Sequence, residues 1–107
     1  MLDKAKARQI AHEYSEKVCR ALSPKSVILF GSYVNGTPHE YSDIDIAVVF
    51  ENYQGDWFET AVLLQRLRRN IDDNSGGGIE PHLLDETKDR SGFLSHIRKT
   101  GELIYGK

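Results

Sequence analysis

Two aspartates that lie two residues apart are the most chemically informative feature of the sequence. Asp43 and Asp45 interrupt a stretch that is otherwise apolar as far as Phe50. In a β-strand, residues i and i+2 project from the same face, with about 6.6 Å between their Cα atoms. Two carboxylates held so close repel each other unless a cation lies between them, and Mg²⁺ is the usual partner of carboxylate oxygens. The pair therefore predicts a magnesium site suited to phosphoryl transfer.

The alternative for an Asp-x-Asp sequence is an ordinary surface strand whose acidic side faces water. The preceding apolar run favours the functional interpretation, because it ends in Gly31-Ser32, and ten residues separate Ser32 from Asp43. Small residues at the end of a strand allow backbone N–H groups and a hydroxyl to approach phosphate oxygens. The sequence thus combines a candidate phosphate contact with candidate metal ligands.

The elements that would position these residues follow from the spacing of apolar side chains. Apolar residues recur every three or four positions from Leu2 to Leu22, and again behind Asp56 as far as Ile71, which predicts two long helices. A last helix contains Phe93 and is ended by Gly101. Pro81 indicates that the third strand lies at a sheet edge or begins late. The predicted strands are residues 26–30, 43–50, 79–84 and 102–105.

Composition narrows the class of protein. A chain of 107 residues, 39% of them hydrophobic, is enough for one compact domain, which we expect to span residues 1–107. The formal net charge of −2 lacks the basic surplus of a typical nucleic-acid binder. A single cysteine, Cys19, excludes an internal disulfide framework, and no Cys/His cluster suggests structural zinc. Because no apolar run approaches the length of a membrane span, we expect a cytoplasmic protein without a membrane role.

The run Phe30-Gly31-Ser32, followed after ten residues by Asp43-Ile44-Asp45-Ile46, strongly resembles the signature of the DNA polymerase beta-like nucleotidyltransferase superfamily. Gly36 and the Ser42-Asp43 dipeptide strengthen the match. In its short length and in the helix before its first strand, the chain is most similar to the minimal nucleotidyltransferases. The resemblance implies an α+β nucleotidyltransferase fold, with a mixed sheet of three to four strands, helices packed mainly on one face, and the aspartates in an open cleft on the other.

The resemblance also implies roles for individual residues at the phosphate and metal positions. Asp43 and Asp45 match the two metal-binding carboxylates of the superfamily. Gly31 and Ser32 match the pair that holds the triphosphate, and we assign Ser42 to the same nucleotide site.

A third acidic ligand is implied on a later strand, and Glu80 is the candidate because it lies in the third predicted strand. The alternative for Glu80 is a solvated charge at a strand edge. The two-residue alternation of the strand places His82 on the same face, where we expect a surface or packing role.

One position departs from the pattern of close relatives, which often carry a basic residue just before the glycine that corresponds to Gly36. This chain has Val34-Asn35 there. The corresponding phosphate contact is then either absent or supplied by another cation, for which the sequence offers Lys25, Arg66 and Lys88.

The function implied is magnesium-dependent transfer of a nucleoside monophosphate, with AMP from ATP as the favoured case, to a hydroxyl acceptor. The resemblance further implies a small helical partner of the HEPN class, which an antitoxin of this type adenylylates, and a homodimer is a further expectation. Two alternatives stay open. One is a non-catalytic subunit that regulates a partner by contact; the other is an antibiotic-modifying adenylyltransferase, less favoured because such enzymes usually need an added domain.

Overall fold

The computed structural model describes residues 4–35, 43–71 and 78–107, which form one mixed sheet and four α-helices. The helices are α1 (Lys4–Ala21), α2 (Ser32–Asn35), α3 (Trp57–Arg66) and α4 (Phe93–Thr100). The strands are β1 (Ser26–Phe30), β2 (Ile44–Phe50), β3 (Ile79–Asp85) and β4 (Glu102–Gly106). This α+β architecture confirms the predicted fold class.

The sheet has the order β3-β2-β1-β4. Strand β1 is antiparallel to both β2 and β4, whereas β2 is parallel to β3. Pro81 therefore lies on an edge strand, where its missing N–H costs no interior ladder bond. The register places Asp45 between Phe30 of β1 and Glu80 of β3. Two of the predicted acidic residues are thus direct neighbours across the sheet.

The two faces of the sheet carry different amounts of helix. Side chains from α1, α2 and α3 pack with Ile44, Ile46, Val48 and Phe50 of β2 in the larger core. The opposite face has a smaller core, formed with α4, that consists of Ile28, Ala47, Val49, Leu94 and Ile97. The helices therefore lie mainly on one face, as predicted, while α4 covers part of the other.

Helix α3 shows how local sequence sets an element and where spacing misleads. The Asp56 carboxylate accepts a hydrogen bond from the Glu59 N–H at 2.9 Å and so caps the start of the helix. The predicted end at Ile71 is wrong, because the helix ends at Arg66. Leu67 and Ile71 keep helical spacing because both pack against the larger core from a turn, in which Asn70 has a φ of 67°.

Other predicted boundaries are close to the observed ones. Strand β1 agrees at both ends, and α4 ends before Gly101, whose N–H bonds the Ile97 carbonyl at 2.7 Å. Strand β2 begins at Ile44, so Asp43 directly precedes it.

Leu2 and the glycine-rich segment 72–77 lie outside the described residues. No helix in the described part of the chain is long and apolar enough to cross a membrane.

Candidate active site

The turn after β1 brings the backbone against the carboxylate of Asp45. Gly31 has a φ of +86°, a conformation that residues with a side chain rarely adopt. A Cβ atom at this position would also overlap Asp45 Oδ2 and lie 3.2 Å from Asp45 Cγ. Glycine is therefore required here both by backbone conformation and by the close approach. Ser32 follows as the first residue of α2, so the predicted phosphate pair adjoins a predicted metal ligand.

Three acidic side chains meet where β2 and β3 run side by side. Asp43 precedes β2, while Asp45 and Glu80 are register partners on the two strands. A hydrogen bond with the Asp43 carboxyl is the main cause that raises the pKa of Glu80, followed by desolvation and the charge of Asp45. A hydrogen bond between two carboxyl groups needs a shared proton. A divalent cation could replace that proton, so this donor set fits one.

His82 lies beside the acidic side chains, two residues beyond Glu80 on β3. Its Nε2 is 3.2 Å from Asp45 Oδ1. One carboxylate oxygen each from Asp45 and Glu80 and one ring nitrogen of His82 all lie within 4.8 Å of one another. Strand alternation predicted the shared face, but nothing in the sequence predicted this contact with Asp45.

The cluster is open to incoming molecules. Asp43 and Glu80 are exposed, whereas the side chains of Asp45 and His82 retain 23% and 27% of their accessible surface. Within the described part of the chain, a ligand can therefore reach the carboxylates without a change in the fold. Asp45 and His82 are thus partly buried, whereas Asp43 and Glu80 face solvent.

A groove of about 210 Å³ begins next to the cluster. The Phe93 ring, which lines it, also lies 6.3 Å from the His82 ring, measured between centroids. The side chains of two acidic residues in its lining already accept internal hydrogen bonds: Asp85 from Thr87 and from two backbone N–H groups, and Asp89 from Leu94 and Ser95. The groove is lined by Trp57, Leu83, Leu84, Asp85, Lys88, Asp89, Ser91, Phe93 and Leu94.

The remaining predicted residues divide into those placed elsewhere and those outside the described part. Ser42 and Gly36 lie outside the described residues. Lys25 lies beyond the end of β1 that is remote from Gly31, where its Nζ bonds Glu86 at 2.5 Å and Glu51 at 3.4 Å. Lys25 is therefore placed away from the cluster and does not supply the expected phosphate contact.

The chain belongs to the nucleotidyltransferase domain family, whose model matches residues 12–102. This match confirms the resemblance noted in the sequence. A comparison with curated proteins found no match.

Solved structures show the same fold. A protein of Sulfolobus solfataricus assigned as a nucleotidyltransferase superposes with a TM-score of 0.68 at 24% identity, over 97% of this chain and 84% of its own. A toxin–antitoxin structure with AMP-PNP superposes with a TM-score of 0.63 at 28% identity. The toxin–antitoxin MntA-HpeT superposes with a TM-score of 0.62 at 26% identity. Both alignments cover 90% of this chain and 73% of the other. The MntA-HpeT structure is of a mutant in which two aspartates, two positions apart, are changed to glutamate.

Proposed function

We propose that the protein is a magnesium-dependent nucleotidyltransferase that transfers AMP from ATP to a hydroxyl acceptor. The observation that carries the proposal is the convergence of Asp43, Asp45 and Glu80 at the start of two parallel strands. The Gly31 turn adjoins these carboxyl groups, which supports the proposal of a phosphate-binding element beside a metal-binding element. Membership of the nucleotidyltransferase domain family supports the reaction class.

The proposal assigns a role to each residue of the candidate site. Asp43, Asp45 and Glu80 would hold the cation, which supplies charge neutralisation on the phosphate oxygens when bound. The Gly31 backbone and the Ser32 hydroxyl would contact the β- and γ-phosphates. The acceptor oxygen forms a bond to the α-phosphorus, the bond to the pyrophosphate oxygen breaks, and a Glu80 carboxylate oxygen is the proposed acceptor of the hydroxyl proton.

We further propose that the acceptor hydroxyl belongs to a small helical protein of the HEPN class, which the chain would modify as an antitoxin. Two of the similar solved structures are toxin–antitoxin complexes, and one of them contains AMP-PNP. Trp57, Phe58 and Phe93 are 45%, 75% and 42% exposed on this chain. Exposed aromatic side chains are enriched at protein interfaces, so they are candidate contacts for a partner. A homodimer and a cytoplasmic location stay predictions.

The proposal is tested by following the two ends of ATP separately. Purified chain, co-purified partner and Mg²⁺ are incubated with ATP labelled at the α-phosphate or at the γ-phosphate. The proposal predicts that only the α-label becomes attached to the partner, and that Asp43→Asn/Asp45→Asn removes the transfer. The exposed Glu16→Gln variant serves as a charge-removing control. Attachment of the γ-label, or transfer that survives in the double variant, would contradict the proposal.

A non-catalytic subunit is the second candidate, and the position of Lys25 favours it. This lysine is paired with Glu51 and Glu86 away from the cluster, so it does not replace the basic residue that close relatives often have. Tight partner binding combined with metal-independent, weak nucleotide binding would select this candidate.

A further inference from the structure

We propose that His82 is a nitrogen ligand of the divalent cation and that it raises the affinity of the site for Mn²⁺ and similar transition metals relative to its affinity for Mg²⁺. The inference rests on the proposed function only for the location of the cation. It concerns the identity of the metal, which the acidic residues alone do not decide.

The distances between donor atoms suit coordination of one ion. Two ligand atoms about 2.1 Å from a cation and at right angles to each other are about 3 Å apart. His82 Nε2 and Asp45 Oδ1 are 3.2 Å apart, and one ligand atom from each of Asp45, Glu80 and His82 lies within 4.8 Å of the other two. Small side-chain movements would therefore bring the three donors around one cation. The register of β2 and β3 fixes the backbone positions from which they project.

Neighbouring aromatic rings hold the imidazole toward the carboxylates. The Phe30 ring meets the His82 ring nearly edge-on, at 5.0 Å between centroids and 62° between planes. Phe93 of α4 contacts both of these rings, with centroid distances of 5.9 Å to Phe30 and 6.3 Å to His82. If the imidazole turned out to solvent, it would lose these contacts. The ring is therefore positioned before a metal arrives.

The change of donor atom has a chemical consequence. Mg²⁺ is a hard cation that takes oxygen ligands and retains several waters. Imidazole nitrogen suits first-row transition metals, whose affinity for mixed nitrogen and oxygen sites rises along the series from Mn²⁺. A histidine among the carboxylates thus shifts the preference of the site toward these ions without removing its oxygen donors.

Electron spin echo spectroscopy of bound Mn²⁺ tests the coordination directly. The wild-type chain with Mn²⁺ alone should show modulation from a directly bound ¹⁴N nucleus, and this signal should change to that of ¹⁵N when histidine is labelled. The signal should disappear in His82→Gln and persist in His96→Gln, an exposed position on α4. Bound Mn²⁺ without nitrogen modulation in the wild-type protein would overturn the inference, whatever the variants do.

Calorimetric titration supplies a second readout. His82→Gln should lower the ratio of Mn²⁺ affinity to Mg²⁺ affinity by about 10-fold or more. A folded variant with an unchanged ratio would contradict the inference, because a residue that only orients Asp45 affects both metals alike. Nitrogen coordination without AMP transfer would confirm the inference and contradict the proposed function. AMP transfer without nitrogen coordination would support the proposed function and contradict the inference.

Discussion

Asp45 is held from two sides by residues that act on different oxygens of its carboxylate. The Gly31 backbone lies against Oδ2, and His82 Nε2 lies 3.2 Å from Oδ1. The side chain therefore has little freedom to turn, and its orientation relative to Glu80 is fixed by its neighbours. The candidate active site depends on contacts that a single added methyl group would disturb.

Gly31→Ala should disrupt the site more than an equivalent change at another glycine. Gly92 is the matched control, because its φ of +77° carries the same backbone penalty while a Cβ there would meet nothing within 4 Å. Both variants should lose about 1 kcal/mol of stability from the left-handed conformation. Only Gly31→Ala should also displace Asp45 and abolish metal binding.

Urea denaturation and metal titration of the two glycine variants check this prediction. Equal losses of metal affinity in both variants would show that the close approach between Gly31 and Asp45 has no role in the site.

Sequence patterns identified residues but not all of their partners. Asp43 and Asp45 could be selected because two acidic residues in an apolar stretch are conspicuous, and Glu80 because the family resemblance implies a third acidic residue on a later strand. His82 could be placed on the right face by alternation, but its contact with Phe93 depends on how α4 packs, which short-range spacing does not reveal. Likewise, the predicted end of α3 was wrong because an apolar side chain can be buried from a turn as well as from a helix, so spacing alone does not distinguish the two.

At the scale of elements, α1 and α3 are joined by a buried hydrogen bond. The hydroxyl of Tyr14, which is fully buried, donates to the Leu64 carbonyl at 2.6 Å. A buried carbonyl that loses its donor keeps the cost of its desolvation. This bond therefore contributes to holding α1 and α3 together in the larger core.

Tyr14→Phe should lower the free energy of unfolding by about 1 to 2 kcal/mol while leaving metal affinity unchanged. Tyr105→Phe is the control, since Tyr105 is 47% exposed and its change should fall within about 0.5 kcal/mol. Chemical denaturation of both variants gives the comparison. A Tyr14→Phe variant as stable as the control would show that the bond contributes little.

Asp85 joins the end of β3 to the loop that follows β2. Its carboxylate accepts hydrogen bonds from the Asn52 and Tyr53 N–H groups at 3.0 and 2.8 Å. It also accepts bonds from the Thr87 N–H at 2.9 Å and the Thr87 hydroxyl at 2.6 Å. These bonds, led by that from the Thr87 hydroxyl, hold the pKa of Asp85 well below its usual range.

Asp85→Asn should be less stable than the wild-type protein at neutral pH, because one acceptor oxygen becomes a donor. A carboxyl whose pKa is lowered by folding stabilises the native state above its unfolded pKa, and this contribution is lost as pH falls through the folded value. The difference between the two proteins should therefore shrink below about pH 4. Thermal melts across pH measure it, and a difference that grew on acidification would refute this account of Asp85.

At the scale of the whole molecule, the charge of the chain should make the proposed nucleotide binding depend on a cation. The chain has a formal net charge of −2, and three of its carboxyl groups converge at the candidate site. A nucleoside triphosphate is itself strongly negative, so it would be repelled from this cleft unless a bound metal reversed the local charge. Metal and nucleotide should therefore bind together rather than independently.

The most direct test is calorimetric titration of a non-hydrolysable ATP analogue into the wild-type protein and into Asp43→Asn/Asp45→Asn, each with and without Mg²⁺. The account predicts binding only when wild-type protein and metal are both present, and loss of that binding in a double variant that remains folded by circular dichroism. Nucleotide binding of equal strength without metal, or in the folded double variant, would contradict it.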